Sequence, residues 1–469
     1  MPNDVKVDMS DSFRLLKIAL PLAMVSVFIF GSVLHSQGEI FHEFQAALLS
    51  VQWMLLACVA VWCGSFVFLT FKLNDLPLIG LLLISIAAYF IGYAASSQAM
   101  DATILLAGVT LGKAARFFIG DEVTSLISKP GNQSETPYVV SYFLIGLLML
   151  LAFSSFWHLD MSANYYHGPR WMGLWNNPNI YGMLMSAGLA LAAGLLIGER
   201  SRLGCRSARP ASNLQNINDE TPLTTRGTHV LPIILFIAAC MMAVGLLFSY
   251  SRGAWVGTAV GLLYLAKIYG KLKWKYVAIG FGLLALGVVL FWGHTPDNAP
   301  WYVKRMDFGR PSAQHRVSAW RGALQMMRDY PLGVGWNKAV ETYDKNYSPP
   351  EDGAGAITMN SYLMLGTELG IPGLLCFVAY VGLCFRKNPH LIRPAATFFP
   401  SDAEKGKILS PVTCHLPLQA TCRSGALVLL VAFWFDGGLF DLPTASLFWI
   451  LLELGSVSNA EGVTSAATK

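Results

Sequence analysis

The chain has 469 residues, of which 54% are hydrophobic and only 13% are charged. Soluble domains carry about 25% charged residues, and the mean hydropathy of this chain is +0.49, so the composition excludes an ordinary soluble protein. The net charge of +5 is too small to indicate a class of partner. We therefore predict an all-α integral membrane protein.

Twelve apolar stretches are long enough to cross a bilayer as helices. In chain order they are Leu15–Leu34, Ala46–Thr70, Leu76–Ala95, Ala99–Phe118, Tyr138–Trp157, Asn179–Gly198, His229–Tyr250, Ala254–Tyr269, Tyr276–Gly293, Met359–Phe385, Ser424–Phe440 and Leu442–Val457. One long connection, residues 294–358, separates the ninth stretch from the tenth. The predicted architecture is about twelve transmembrane helices with one large loop that contains short helices.

The distribution of lysine and arginine orients the chain, because both residues are enriched in cytoplasmic loops. With the N-terminus in the cytoplasm, 23 of the 33 basic residues lie on the cytoplasmic side, among them Lys113, Arg116 and Arg423. The outer side holds Arg170, Arg252 and the eight basic residues of the 294–358 loop. Both termini are therefore predicted to be cytoplasmic, and the large loop is predicted to lie outside the cytoplasm.

Residues 304–328 of the large loop are strongly basic, although cationic loops are disfavoured on the outer side of a membrane. This stretch contains a single acid, Asp307, and six basic residues: Lys304, Arg305, Arg310, Arg316, Arg321 and Arg328. Clustered arginines are suited to bind a phosphate or a diphosphate. The stretch therefore predicts an anion site.

Within the large loop, the segment from Ser312 to Tyr330 is predicted to be a helix that Ser312 caps and Pro331 ends. Its predicted apolar stripe consists of Val317, Trp320, Leu324 and Met327. Arg316, Trp320 and Arg321 then lie within about one helical turn. The alternative interpretation is an amphipathic helix that lies on anionic lipid headgroups.

A second polar cluster precedes the sixth apolar stretch. Asn177 fits the N-cap of a helix, and Pro178 fits its first turn. The side-chain amides of Asn177 and Asn179 are suited to hydrogen-bond a polar ligand such as a sugar. A helix start held by neighbouring tryptophans in the interfacial aromatic belt is the alternative.

Two more polar clusters lie at the predicted outer ends of helices. Ser251, Arg252 and Gly253 place an arginine at the membrane interface, where it suits an anion site or a lipid headgroup. Asn360 begins the tenth apolar stretch, and Glu368 lies inside it, where a charge is costly unless it is paired or functional.

Taken in chain order, these motifs resemble those of the O-antigen ligase/polymerase family of bacterial inner-membrane proteins. The matching elements are Gly173–Gly182, Ser251–Gly253, Arg316–Trp320, Asp329–Gly335, Asn360–Leu363 and Glu368–Gly370. The resemblance covers about residues 140–385. It divides the chain into N-terminal transmembrane helices (1–137), a catalytic membrane region that includes the periplasmic loop 294–358 (138–385), and a cytoplasmic loop with the last two helices (386–469).

The resemblance implies transfer or polymerisation of a glycan from an undecaprenyl-diphosphate carrier onto an acceptor glycan, lipid or protein at the periplasmic face. Such a glycosyltransferase needs no metal or other cofactor, and the sequence contains no phosphate-loop, HExxH or GxSxG motif. The implied partners are these substrates and membrane lipids, with no nucleic acid. We expect Arg252 and Arg316 to be catalytic, because preorganised arginines stabilise a diphosphate leaving group. The expected substrate-binding residues are Arg170, Asn177, Asn179, Ser251, Lys304, Arg305, Arg321, Asn360 and Glu368.

One position departs from the family pattern. Ligases of this family usually place a histidine directly before the asparagine of the Asn-x-Tyr-Leu element, where it is thought to activate the acceptor, but here the residue is Met359. A thioether is not a useful proton acceptor, so the base must lie elsewhere or the acceptor must differ. The sequence does not separate the candidate bases His167, His294, His315, Glu351 and Asp352.

Two other functions remain open at this point. A transporter or flippase of a lipid-linked saccharide also needs cationic residues near the carrier, but it would place ionisable groups deep in several spans and basic sites at both faces. A non-catalytic family member in envelope polysaccharide assembly is the third possibility, and the substitution at Met359 keeps it open.

Overall fold

The computed structural model describes Leu22 and residues 52–92, 100–120, 138–154, 170–175, 177–207, 223–269, 311–348, 360–386 and 416–456. Within these ranges the chain forms thirteen α-helices and no strand, which confirms the all-α class. The helices are α1 (Gln52–Leu69), α2 (Leu76–Gly92), α3 (Met100–Ala115), α4 (Tyr138–Ser154), α5 (Pro178–Ser207), α6 (Leu223–Ser249), α7 (Arg252–Ile268), α8 (Pro311–Asp329), α9 (Ala339–Asn346), α10 (Ser361–Glu368), α11 (Gly370–Arg386), α12 (Leu416–Ala432) and α13 (Leu442–Ser456).

Three of the described segments are long and apolar enough to cross a membrane: Leu73–Phe90, Pro178–Gly198 and Leu231–Ser249. Shorter apolar helices occur at Ala57–Leu69, Phe143–Ser154, Gly370–Arg386, Leu418–Ala432 and Leu442–Ser456. Helices coincide with ten of the twelve predicted spans. The other two, Leu15–Leu34 and Tyr276–Gly293, lie outside the described residues apart from Leu22.

Burial separates central helices from peripheral ones. The apolar window of α5 is 78% buried, and α13 is buried along its whole length, where it packs against α3 and α12. In contrast, the more apolar window of α6 is only 28% buried and exposes Phe236, while Phe68 at the end of α1 is 83% exposed. Large apolar side chains exposed on adjacent turns are suited to contact lipid.

The tenth predicted span, Met359–Phe385, is not one helix. The described part breaks at Gly370, which has a φ of +74° between α10 and α11. The loop after α8 docks onto this break: the Val334 N–H donates to the Thr367 carbonyl at 3.0 Å, and the Gly335 N–H donates to the Glu368 carbonyl at 3.1 Å. Because the end of a helix leaves carbonyls without intrahelical partners, the loop satisfies the groups that the break exposes.

The eleventh predicted span also differs from the structure. Instead of Ser424–Phe440, the helix is α12, which begins and ends earlier. Arg423, expected in a cytoplasmic loop, is buried in α12, and its Nε donates to the Gly455 carbonyl at 2.8 Å. Because α12 ends at Ala432, residues 433–441 form a connection to α13 that includes the short 3-10 helix Gly438–Phe440. We call this connection the 433–441 turn.

Lys113 and Arg116, expected at the cytoplasmic end of the fourth predicted span, belong to a buried ion network. The Lys113 Nζ lies 3.1 Å from Asp75 and 3.0 Å from Glu453, and an Arg116 Nη1 lies 3.1 Å from Glu453. Tyr380 accepts a hydrogen bond from Lys113 and donates one to Glu453. Two cations and two carboxylates therefore balance inside the helix bundle, as buried charges require.

Replacing Glu453 by alanine is expected to lower the free energy of unfolding by about 3–5 kcal/mol, because Lys113 and Arg116 would keep only Asp75 as a carboxylate partner. Thermal unfolding of the detergent-purified protein measures this change. Glu341→Ala on α9, where the glutamate is exposed, is the control. Equal stability of the two variants would contradict the structural role of the network.

Gly370→Ala is expected to destabilise the protein by about 1–3 kcal/mol, because a Cβ there would lie 2.4 Å from the Leu332 carbonyl carbon at a positive φ. Gly382→Ala, in α11, is the matched control, since no atom lies within 4 Å of the added Cβ. The control should be neutral or slightly stabilising. Thermal unfolding that ranks the two variants in the opposite order would show that the docked loop is not close-packed against the break.

Candidate active site

A chain of side-chain hydrogen bonds links Arg170 to the 433–441 turn. Arg170 is 2% exposed; its Nε donates to the Ser249 carbonyl at 2.7 Å, and its Nη2 donates to the Asn179 Oδ1 at 2.8 Å. The Asn179 Nδ2 in turn donates to the Asp436 Oδ2 at 2.5 Å. Asn179 therefore uses both ends of its amide to hold an arginine and an aspartate in place.

The backbone of the 433–441 turn is held by two other helices. On one side, the Arg316 Nη1 from α8 donates to the Phe435 carbonyl at 2.7 Å. On the other side, the Ser361 Oγ at the start of α10 donates to the Asp436 carbonyl at 2.9 Å, and the Ser361 N–H donates to the Phe433 carbonyl at 3.0 Å. The turn therefore joins the start of α5, α8 and the start of α10.

Arg252 lies at the start of a helix that packs on the same turn. It is the first residue of α7 and is half-buried. The next residue, Gly253, packs so closely on the turn that a Cβ there would lie 2.7 Å from the Phe435 Cβ. Ser251 precedes the helix and is buried, and its N–H donates to the Ser249 Oγ at 3.2 Å. Arg170 and Arg316 thus lie around Asp436, and Arg252 lies next to the glycine that packs on Phe435.

The electrostatics of the turn are set by Asp436. Burial raises the pKa of Asp436, and the Gly437 N–H, Arg316, Asn179 and Arg170 oppose this shift without cancelling it. A carboxylate with a raised pKa is a better proton acceptor than an ordinary aspartate. Burial, together with the charges of Asp436 and Asp101, raises the pKa of Asp441 in the same turn to about 7.

Asn360 lies beside the turn with one half of its amide unused. Its Oδ1 caps α10 by accepting hydrogen bonds from the Tyr362 N–H at 3.0 Å and the Leu363 N–H at 3.1 Å. The residue is fully buried, and its Nδ2 has no hydrogen-bond partner in the part of the chain that the structure describes. A buried amide donor without a partner is costly, so Asn360 is suited to donate to a ligand.

The other residues predicted for the site lie apart from the turn or outside the described ranges. Asn177 precedes α5, and its Oδ1 accepts the Asn179 N–H at 2.9 Å, which confirms the predicted helix start at Pro178. Glu368 is buried beneath the docked loop, where its Oε1 accepts the Asn337 N–H at 3.3 Å. Arg321 is exposed on α8. Lys304 and Arg305 lie outside the described residues.

Helix α8 confirms the predicted element, but only part of the predicted stripe faces the core: Met327 is buried and Trp320 is partly buried. Val317 and Leu324 are exposed, whereas Ala319, Ala323 and Met326 are fully buried. Small residues on this face allow close packing against Tyr343 and Leu363. Burying this face leaves Arg316 able to reach the 433–441 turn.

Asp436 is the site residue that the sequence analysis missed. The predicted span Ser424–Phe440 included it in a continuous helix, although the helix ends at Ala432. A signal was available, because an acidic residue inside an apolar run is costly and marks a functional or paired position. The neighbouring pair Gly437 and Gly438 also indicates a turn.

A comparison with protein families matches residues 237–378 to the model of the family described as O-antigen ligase. This match confirms the resemblance over a segment that contains Arg252, Arg316, Asn360 and Glu368. Arg170, Asn179 and Asp436 lie outside the matched segment and are placed at the site by the structure. No curated protein and no solved structure matches the chain.

Proposed function

We propose, from the O-antigen ligase match and the arginines at the 433–441 turn, that this protein transfers or polymerises a glycan carried on undecaprenyl diphosphate. Members of the matched family are ligases or polymerases of polysaccharide assembly in the bacterial inner membrane. The observation that carries the proposal is the placement of Arg170 and Arg316 around Asp436, with Arg252 at the start of a helix that packs on the same turn. Guanidinium groups bind the oxygens of a diphosphate more effectively than any other side chain.

The leaving group is the diphosphate, and Arg316 is positioned to stabilise it. As the bond from the anomeric carbon to the diphosphate breaks, negative charge grows on the diphosphate oxygens. An arginine has five N–H donors, and in the described part of the chain Arg316 uses one of them, on the Phe435 carbonyl. That hydrogen bond fixes the guanidinium before substrate binds, which is the preorganisation that electrostatic catalysis needs.

We assign the role of proton acceptor to Asp436. The acceptor hydroxyl attacks the anomeric carbon, the bonding pair of the carbon–oxygen bond leaves with the diphosphate, and the hydroxyl proton passes to the Asp436 carboxylate. The raised pKa of Asp436 favours this transfer. Asp436 thereby takes the role of the family histidine, whose position Met359 occupies in this chain. Of the candidate bases from the sequence, His315 has only its backbone described, and the others lie outside the described residues.

The proposed site faces the periplasm. Asp441 precedes α13, and Glu453 lies twelve residues further along, so the turn and the buried ion network are about 18 Å apart along this helix. The lysine and arginine bias assigns the ion-network end to the cytoplasm. The turn then lies at the outer face, where the carrier presents its glycan, and both termini lie in the cytoplasm.

The buried ion network is the observation that favours the alternative of a lipid-linked saccharide transporter, since transporters place ionisable groups inside their spans. Its charges are paired with one another at 3.0–3.1 Å in the closest contacts. A network that is already neutral has no free charge for an anionic carrier. We therefore favour the transferase. A transport defect would leave carrier-linked glycan facing the cytoplasm, whereas a transferase defect leaves it facing the periplasm.

Arg316→Gln is expected to lower product formation at least about 100-fold and to accumulate carrier-linked glycan, because one preorganised donor to the leaving group is lost. Arg316→Lys should also be impaired, since an ammonium does not reproduce the planar fork. Extraction of lipid-linked glycan and of surface glycan from cells that express each variant measures both effects. Arg328→Gln, an exposed arginine on the same helix, is the control. Normal surface glycan with inserted Arg316→Gln would contradict the proposal.

Asn179→Ala is expected to move the acidic limb of the pH dependence of kcat/KM to higher pH. The Asn179 side chain lowers the pKa of Asp436, so its removal raises that pKa, and a base that must be deprotonated then loses activity at a higher pH. Asp436→Asn should abolish the limb and lower the rate by about 100-fold or more. Asn346→Ala, an exposed asparagine in α9, is the control. An unmoved limb in Asn179→Ala would exclude Asp436 as the base.

A further inference from the structure

Three aromatic side chains meet beside the arginines. Trp434 belongs to the 433–441 turn, Trp320 to α8 and Tyr362 to α10. The ring centroids of Trp434 and Trp320 are 5.8 Å apart with an interplanar angle of 66°, and those of Trp434 and Tyr362 are 5.7 Å apart at 44°. Neither neighbour stacks in parallel on the Trp434 indole, and Trp434 is 46% exposed. We call these residues the aromatic corner.

The aromatic corner is joined to the proposed site through the chain itself. Trp434 directly precedes Phe435, whose carbonyl accepts from Arg316, and Trp320 lies one helical turn after Arg316. Tyr362 is fixed by its hydroxyl, which donates to the Leu430 carbonyl at 2.6 Å, and by its N–H, which donates to the Asn360 Oδ1. The half-exposed indole therefore packs against rings whose residues lie near Arg316 and Asn360 in the chain.

Two donors near the corner have no partner in the described ranges. One is the Trp320 Nε1, and the other is the Nδ2 of the fully buried Asn360. An apolar ring face bordered by hydrogen-bond donors matches a pyranose, which has one face of C–H groups and a rim of hydroxyls. The π face of an indole is negative and attracts the weakly positive C–H groups of the sugar.

We propose that Trp434 is the stacking platform for the sugar that is bonded directly to the diphosphate of the donor. The proposal rests on the proposed function, because it needs a diphosphate at Arg316. The Phe435 carbonyl accepts from Arg316, and Trp434 is the residue directly before Phe435. A sugar bonded to a diphosphate at Arg316 therefore comes within reach of Trp434. The ligand class is thus a pyranosyl polyprenyl diphosphate, and Trp434 contributes recognition of its ring rather than of its charge.

The test compares binding of a polyprenyl diphosphate that carries a sugar with binding of the bare polyprenyl diphosphate, to purified protein in lipid nanodiscs. Trp434→Ala is expected to bind the sugar-bearing carrier about tenfold more weakly and the bare carrier as the wild type does. Trp434→Phe should restore part of the loss, because an aromatic face remains. Trp62→Ala on α1, where the tryptophan is 60% exposed, is the control for loss of a lipid-facing tryptophan.

Each other outcome overturns a different claim. Equal weakening of both carriers by Trp434→Ala, or weakening matched by Trp62→Ala, would make Trp434 a membrane anchor of the interfacial kind. A raised KM for the acceptor with unchanged donor binding would place the acceptor sugar on the ring instead. If the wild type binds bare polyprenyl diphosphate no better than it binds the polyprenyl alcohol, the proposed function itself is wrong.

Discussion

The hydrogen bond from Arg316 to the Phe435 carbonyl is the contact on which the proposed site depends. It brings α8, which belongs to the connection between membrane helices, onto the turn between α12 and α13. The same turn presents Asp436 to Asn179 and Arg170, which lie near the start of α5. Segments far apart in sequence thus meet at one turn, where Arg170 and Arg316 donate hydrogen bonds to neutral oxygens.

Charge balance distinguishes the two polar regions that α13 connects. At one end, Lys113 and Arg116 are matched by Asp75 and Glu453, so the region is neutral and stabilises the packing of the helices. At the other end, Arg170 and Arg316 lie around Asp436, whose pKa is raised, and the pKa of Asp441 in the same turn is about 7. We therefore propose that an anionic carrier binds at this end, where Arg316 has donors left for a ligand.

Local signals in the sequence predicted the helices and several site residues. The start of α5 at Pro178 and the helix of residues 311–329 followed from capping and periodicity. The break at Gly370 and the end of α12 at Ala432 were not predicted, because apolar runs continue across both positions. Hydropathy also does not register a loop that docks from elsewhere in the chain. Asp436 was hidden for the same reason, and its partners come from remote segments.

A structure of the protein with bare polyprenyl diphosphate bound tests the central claim most directly. We expect the diphosphate to lie beside Phe435, with its oxygens within hydrogen-bonding distance of the Arg252 and Arg316 guanidinium groups. A diphosphate bound instead beside Lys113 and Arg116, at the other end of α13, would contradict it.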